Sequence, residues 1–170
     1  MSILNIFKQQ KHTELKDRIL QASATLYPDK IIIETIDRLK SGGGISSTKI
    51  TILPIDTDLS LLGTAVRQHL SLTKENLPIP NDWKQYYADF LKQVGFKNGK
   101  EHHKNALLLN LHQKGDTITI SPTKNGGYTG KDRGFLGIKD ADIIISADID
   151  DTTLGDKIKY SWTKCECNCI

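Results

Sequence analysis

Leu20, Ala22, Ala24 and Leu26 alternate with Gln21, Ser23 and Thr25. A period of two marks a half-buried strand, because successive side chains of a strand point to opposite faces. Tyr27-Pro28-Asp29-Lys30 supplies turn formers, and the β-branched run Ile31–Ile36 follows. Together they predict a hairpin. Lys40–Ser47 reads as a flexible break, and Thr48–Pro54 as a further strand stopped by its proline. The period then changes. Leu59, Leu62, Val66 and Leu70 recur at spacings of three and four, on one helical face, and Asp58 stands where an N-cap belongs. A linker with two prolines, Glu75–Pro80, leads into a second helix over Asp82–Val94. Asn81 or Asp82 caps it, Gly95 ends it, and Trp83, Tyr86 or Tyr87, Phe90, Leu91 and Val94 form its stripe.

Asn105–Thr123 predicts a second hairpin, turning at Lys114-Gly115-Asp116. A glycine-rich run, Ser121–Gly137, follows it. Asp140–Ile149 reads as a strand, and Asp151 to about Cys165 as a last helix with Leu154, Ile158 and Trp162 on its apolar side. This order predicts an α/β protein of the α+β type, a single-domain sandwich in which a largely antiparallel sheet is covered by about three helices. The domain spans residues 19–164. A segment over 1–18, mobile or briefly helical, precedes it, and a cysteine-containing tail over 165–170 follows.

Two stretches echo one another. Ile50–Val66 and Asp142–Ile158 align without a gap, setting Asp56 on Asp148, Asp58 on Asp150, Leu62 on Leu154 and Gly63 on Gly155. Each is an apolar strand, an Asp-x-Asp turn and a helix with Leu-Gly near its start. A glycine inside a helix costs about 1 kcal/mol relative to alanine, so both are expected where a helix packs closely on a neighbour.

These residues invite several chemistries. The glycine run lacks the Gly-x-x-x-x-Gly-Lys-Ser/Thr spacing of a phosphate loop, since Asp132 follows Gly130-Lys131 and no helix opens there. A hairpin-type connection using glycine at positive φ fits it better. Asp56/Asp58 and Asp148/Asp150, with Asp151, match the carboxylates that hold Mg²⁺ or Mn²⁺, which makes a metal-dependent enzyme acting on a phosphorylated substrate the alternative reading. Capping and the helix dipole explain both copies at once. His102-His103 and His112 are expected at or near a strand, on the surface, with adjacent histidines on opposite faces. Cys165, Cys167 and Cys169 crowd into the last six residues, which excludes a disulfide scaffold. No Gly-x-Ser-x-Gly elbow is present.

Composition narrows the classes. The chain has 170 residues, 38% hydrophobic and 25% charged, with a net charge of +3. That excess is too small to announce a nucleic-acid binder. No apolar run approaches the ~18 residues of a membrane span. Met1–His12 has its lysines after a short apolar patch, unlike a secretory signal. A cytoplasmic protein is expected, with no cofactor and with neither membrane nor nucleic acid as partner.

The ordered segments resemble the immunity proteins of bacterial contact-dependent growth inhibition (CDI) systems. The matching pieces are Ile50–Val66, the Trp-led helix Asp82–Asn98, the strand and glycine loop Asp116–Ile138, and the second Leu-Gly helix Asp150–Ile158. The resemblance covers residues 20–164. It implies a non-catalytic inhibitor that binds, one to one, the toxic C-terminal domain of a large exported effector and so protects the producing cell. Such toxins are most often nucleases, so an RNase or tRNase is the expected target. For the interface, Tyr128 and Arg133 are residue types enriched at hot spots, with Lys124, Lys131 and Asp132 as steering charges. Asp148, Asp150, Asp151 and Asp156 form an acidic patch suited to a basic nuclease, with Asp56 and Asp58 as another.

Overall fold

The alternation at Leu20–Leu26 becomes β1 (Ile19–Leu26), and the isoleucine run becomes β2 (Lys30–Arg38), paired antiparallel with it. β3 (Gly44–Pro54) returns along β2. The second hairpin is β4 (Leu107–Lys114) and β5 (Thr117–Asn125). β6 (Phe135–Gly137) and β7 (Ile143–Ser146) then run antiparallel to β5 in succession, opposite Asn125–Thr123 and Ile120–Thr117. Two residues, β8 (Glu166–Cys167), pair parallel with β5. The sheet order is β3-β2-β1-β4-β5-β6, with β7 and β8 also on β5. The computed structural model describes residues 18–167. The expectations for residues 1–17 and for Cys169 lie outside the described residues.

Four helices cover the sheet among these residues: α1 (Leu59–Ser71), α2 (Trp83–Val94), the short α3 (Gly99–His103) and α4 (Asp151–Trp162). The α+β expectation holds. β2 explains why a strand can be continuously apolar. Ile31 and Ile33 point into the core under α1 and α4, and Ile32 points into a second core with Val94 of α2. A strand covered on both faces has no solvent side to mark with polar residues.

α1 and α4 pass antiparallel at backbone contact. A methyl group at Gly63 would stand 1.9 Å from the carbonyl oxygen of Asp151, and one at Gly155 would stand 2.0 Å from that of Leu59. Each glycine of the echo therefore receives the first residue of the other helix. Arg67 locks this crossing. Its Nε donates to Asp151 at 2.8 Å, and its Nη1 and Nη2 donate to the carbonyls of Ala147 and Ile149 at 2.9 and 2.7 Å. Trp162 pins the far end of α4 to the sheet by donating from Nε1 to the carbonyl of Ala24 at 3.1 Å.

Several expectations change. Gly44–Ser47 belong to β3 and not to a break; Ile45 and Ser47 are inward-facing, and the turn is confined to the residues before Gly44. Ser121–Asn125 of the glycine run are strand, so the loop proper is shorter. The last helix stops at Trp162, before Cys165. Trp83 lies off the buried stripe of α2 and is 51% exposed, while Leu91 and Val94 carry the burial.

Gly63→Ala and Gly155→Ala are each expected to lower stability by about 2 kcal/mol, because the overlap with backbone outweighs the gain in helix propensity. Urea unfolding checks this. Asp58→Ala removes a cap and is expected to cost about 1 kcal/mol, and Asp150→Ala is expected to lower stability in the same direction, whether or not Mg²⁺ is added.

Candidate functional site

Residues 126–134 leave β5 and re-enter at β6, a hairpin-type connection with no helix at its end. Gly127, Gly130 and Gly134 take φ of 83°, 100° and 92°, which only glycine adopts without strain. The root is tied twice: Gly126 N–H donates to Gly134 O at 2.9 Å, and Gly134 N–H donates to Gly127 O at 2.8 Å. Buried Asn125 fixes it to α3. Its side-chain nitrogen donates to the carbonyls of His103 and Ala106 at 2.7 and 2.9 Å, and its oxygen accepts from Gly127 N–H at 2.9 Å. The Tyr128 ring lies on Gly99, where a methyl group would meet it at 2.2 Å, and its outer side remains 48% exposed. Lys131, Asp132 and Arg133 are exposed at the tip. Lys124 stands in β5, 3.8 Å from Glu166.

The loop forms one wall of a hollow of about 810 Å³ in which Tyr128, Gly130 and Arg133 face Tyr87 and His103. His102, Tyr87 and Phe135 separate it from a second cavity of about 320 Å³ between α2 and the sheet. The two spaces make one aromatic face.

The histidines depart from expectation. His102 and His103 sit on α3, not on a strand, and His102 is buried. Its ring packs 5.2 Å from Phe90 and 5.7 Å from Phe96, and its Nδ1 lies 3.1 Å from the Tyr87 hydroxyl. Burial, with His103 alongside, pushes its pKa down to about 4. The signal for α3 was present in the sequence: Asn98 caps it by accepting from Glu101 N–H at 3.0 Å, the spacing of a capping box.

Glu34 went unnoticed in the sequence. It is 5% exposed, on the α2 side of β2, where the β2–β3 register shifts between Glu34 and Ile36. Ser46 donates to its carboxylate and the Tyr86 hydroxyl donates to the Ser46 carbonyl. Burial raises its pKa to about 7, against the lowering effect of Ser46 and Ser23.

The acidic residues lie elsewhere. Ala147 N–H donates to Asp116 O at the start of β5, so Asp148 and its neighbours sit at the opposite end of that strand from the glycine loop. Nine residues of strand separate the two groups by roughly 25–30 Å. Sequence reasoning placed them in one interface, and the structure does not bring them together. The two Asp-x-Asp turns stand at opposite ends of the α1–α4 crossing, each leading into a helix whose first residue meets the other helix's glycine. Asp58 and Asp150 cap their helices, accepting from Leu61 N–H at 2.8 Å and Thr153 N–H at 2.9 Å. Asp151 is held by Thr64 and Arg67. Among the described residues no three His, Cys, Asp or Glu converge on a common point.

A carboxyl whose folded pKa lies above its unfolded value binds its proton more tightly when folded. Its cost is absent below the unfolded value of 4.5 and complete above about 7. His102 acts oppositely, adding stability as pH rises from about 4. The difference between wild type and Glu34→Gln isolates the carboxyl. The variant is expected to gain about 1–3 kcal/mol on the wild type between pH 5 and pH 8, measured by urea unfolding across pH.

The comparisons with known proteins agree with this architecture. A protein of unknown function from Neisseria meningitidis has 21% identity and a TM-score of 0.73, over 88% of this chain and 97% of that one. A CdiA-CT/CdiI toxin and immunity complex from Yersinia pseudotuberculosis contains a chain of 19% identity and TM-score 0.72, over 88% and 98%. At such identities these show a shared fold. No curated protein sequence matches. None of the described helices is long and apolar enough to cross a membrane. The sequence profile of the CDI immunity proteins, CdiI, matches residues 20–165. This span takes in the whole sheet up to Cys165, both glycine-crossed helices and the aromatic face, and the chain belongs to the CDI immunity protein family.

Proposed function

We propose that this protein neutralises the C-terminal toxin domain of a CDI effector as a non-catalytic, one-to-one inhibitor in the cytoplasm of the producing cell. Residues 19–164 are the inhibitory domain, and the toxin is a nuclease acting on RNA, with tRNA the leading substrate. The observation that carries the choice of interface is the anchored loop. Tyr128 is seated on Gly99 with half its surface exposed, beside exposed Arg133, at the rim of the 810 Å³ hollow. An aromatic residue ordered before binding loses little entropy on association, and Tyr and Arg dominate hot spots. Lys124, Lys131 and Asp132 set the charge around them.

Asp148, Asp150, Asp151 and Asp156 serve this reading in a secondary way. Asp150 caps α4 and Asp151 is tied to Arg67, so both act first in folding. Asp148 and Asp156 are left to attract a basic toxin from a distance. A tight inhibitor buries about 1,200–2,000 Å² in total, so the interface extends from the loop onto the neighbouring α2 and α3.

Calorimetry with the toxin domain encoded beside this gene tests the proposal. Tyr128→Ala and Arg133→Ala are each expected to weaken binding about 30-fold. Gln68→Ala, exposed on α1 beyond the sheet, is expected to change nothing. A loss at Asp148→Asn and Asp156→Asn with no loss at Tyr128 moves the interface to the acidic patch. Absence of a complex with the folded wild type removes the inhibitory reading.

A further inference from the structure

The cavity between α2 and the sheet has features that packing does not require. Its walls are aromatic: Trp83, Tyr86, Tyr87 and Phe90 of α2, with Phe135 of β6. At its sheet side is the carboxylate of Glu34, more than nine-tenths buried. Among the described residues no lysine or arginine pairs with Glu34, and its hydrogen-bonding neighbours are the neutral hydroxyls of Ser23 and Ser46. The other ionisable groups facing it are Tyr27, Tyr86, Tyr87 and His102, and Asp37, which also acts on Tyr86, is itself negative. Tyr27, Tyr86 and Tyr87 have raised values and His102 is neutral above about 4, so none brings a positive charge at neutral pH.

An ionised carboxylate held away from water costs several kcal/mol unless a cation meets it. The faces of aromatic rings are themselves attractive to cations, above all where water is excluded. A volume of about 320 Å³ is at the lower end for ligand sites and suits a group the size of one long side chain. Half-exposed Trp83 at the margin leaves a way in.

We propose that this cavity is a binding site for an organic cation, an alkylammonium or alkylguanidinium group whose charge meets Glu34 and whose chain lies among the rings of α2. A lysine or arginine side chain of the bound toxin and a free amine present the same chemistry. The first source rests on the inhibitory reading above and the second does not.

The full chain, labelled with ¹⁵N, is titrated at pH 8.5 with n-butylammonium, n-butylguanidinium and neutral n-pentanol. The cations are expected to shift the Trp83 indole N–H and the Ser46 amide, and to bind at least about tenfold more tightly than the alcohol. Glu34→Gln is expected to remove that preference. Should the variant fail to fold, wild type at pH 5.5 serves instead. There Glu34 holds its proton, and the same preference is expected to collapse while His102 remains neutral. No cation binding by wild type at pH 8.5, equal binding of the alcohol, or a preference unchanged by both Glu34→Gln and pH 5.5 overturns the site.

Capture of wild type on immobilised toxin domain, with and without saturating n-butylguanidinium, separates the sources. Weakened capture assigns the cation to the toxin, and unchanged capture assigns it to a free amine. Failure of the toxin to capture untreated wild type counts against the inhibitory reading alone, because the titration contains no toxin.

Discussion

The backbone contact between α1 and α4 sets the geometry on which everything else depends. Two helices ordinarily stand 8–10 Å apart, held off by their side chains. Here glycine at positions 63 and 155 lets each helix rest on the first carbonyl of the other. The pair thus forms a thin layer over one face of the sheet, and Arg67 binds the turn before α4 into it with three hydrogen bonds. Because this layer covers the apolar side chains of β1, β2, β4 and β5, the other face can be covered less completely. The aromatic cavity and the glycine loop occupy that second face.

The two faces differ in kind. The core under α1 and α4 is built of aliphatic side chains closed by Trp162. The core under α2 is small, and around it stand Glu34, Ser23, Asn125 and His102, all buried and all polar. Such groups weaken a core unless each finds a partner. Asn125 is satisfied by the carbonyls it joins. His102 stays neutral among rings, and Glu34 carries a carboxyl that is only half ionised near pH 7. The first face also holds a buried polar group, His69, but there both ring nitrogens lie within hydrogen-bond distance of the hydroxyls of Thr35 and Thr51.

Much of this was legible in the sequence, for identifiable reasons. Period-two alternation located β1, the 3.6-residue period located α1 and α2, Asp58 marked the start of α1, and Asn81 or Asp82 marked that of α2, where Asp82 is the cap. The echo at Gly63 and Gly155 forecast a close approach, though not that each glycine would receive the other's helix. α3 was missed because five residues are too few to display a period, and only the Asn98–Glu101 spacing gave it away. Gly44–Ser47 were missed because three glycines in a row suppress strand propensity, and pairing with β2 overrides it. Of the candidate site, Tyr128 and Arg133 were expected as anchors on the glycine loop, and both are exposed there. Glu34 was not, because a glutamate in an isoleucine run ordinarily reads as the solvent side of a strand. Nothing local announces that α2 lies over it.

The root of the glycine loop is held by backbone groups and by Asn125, and Gly126 abuts the backbone of residues 132 and 133. Side chains at 129 and 131–133 are therefore outside the set that folding needs. A lineage can exchange those letters without disturbing the frame beneath them. The surface of the loop can therefore vary, residue by residue, while the architecture that displays it stays the same.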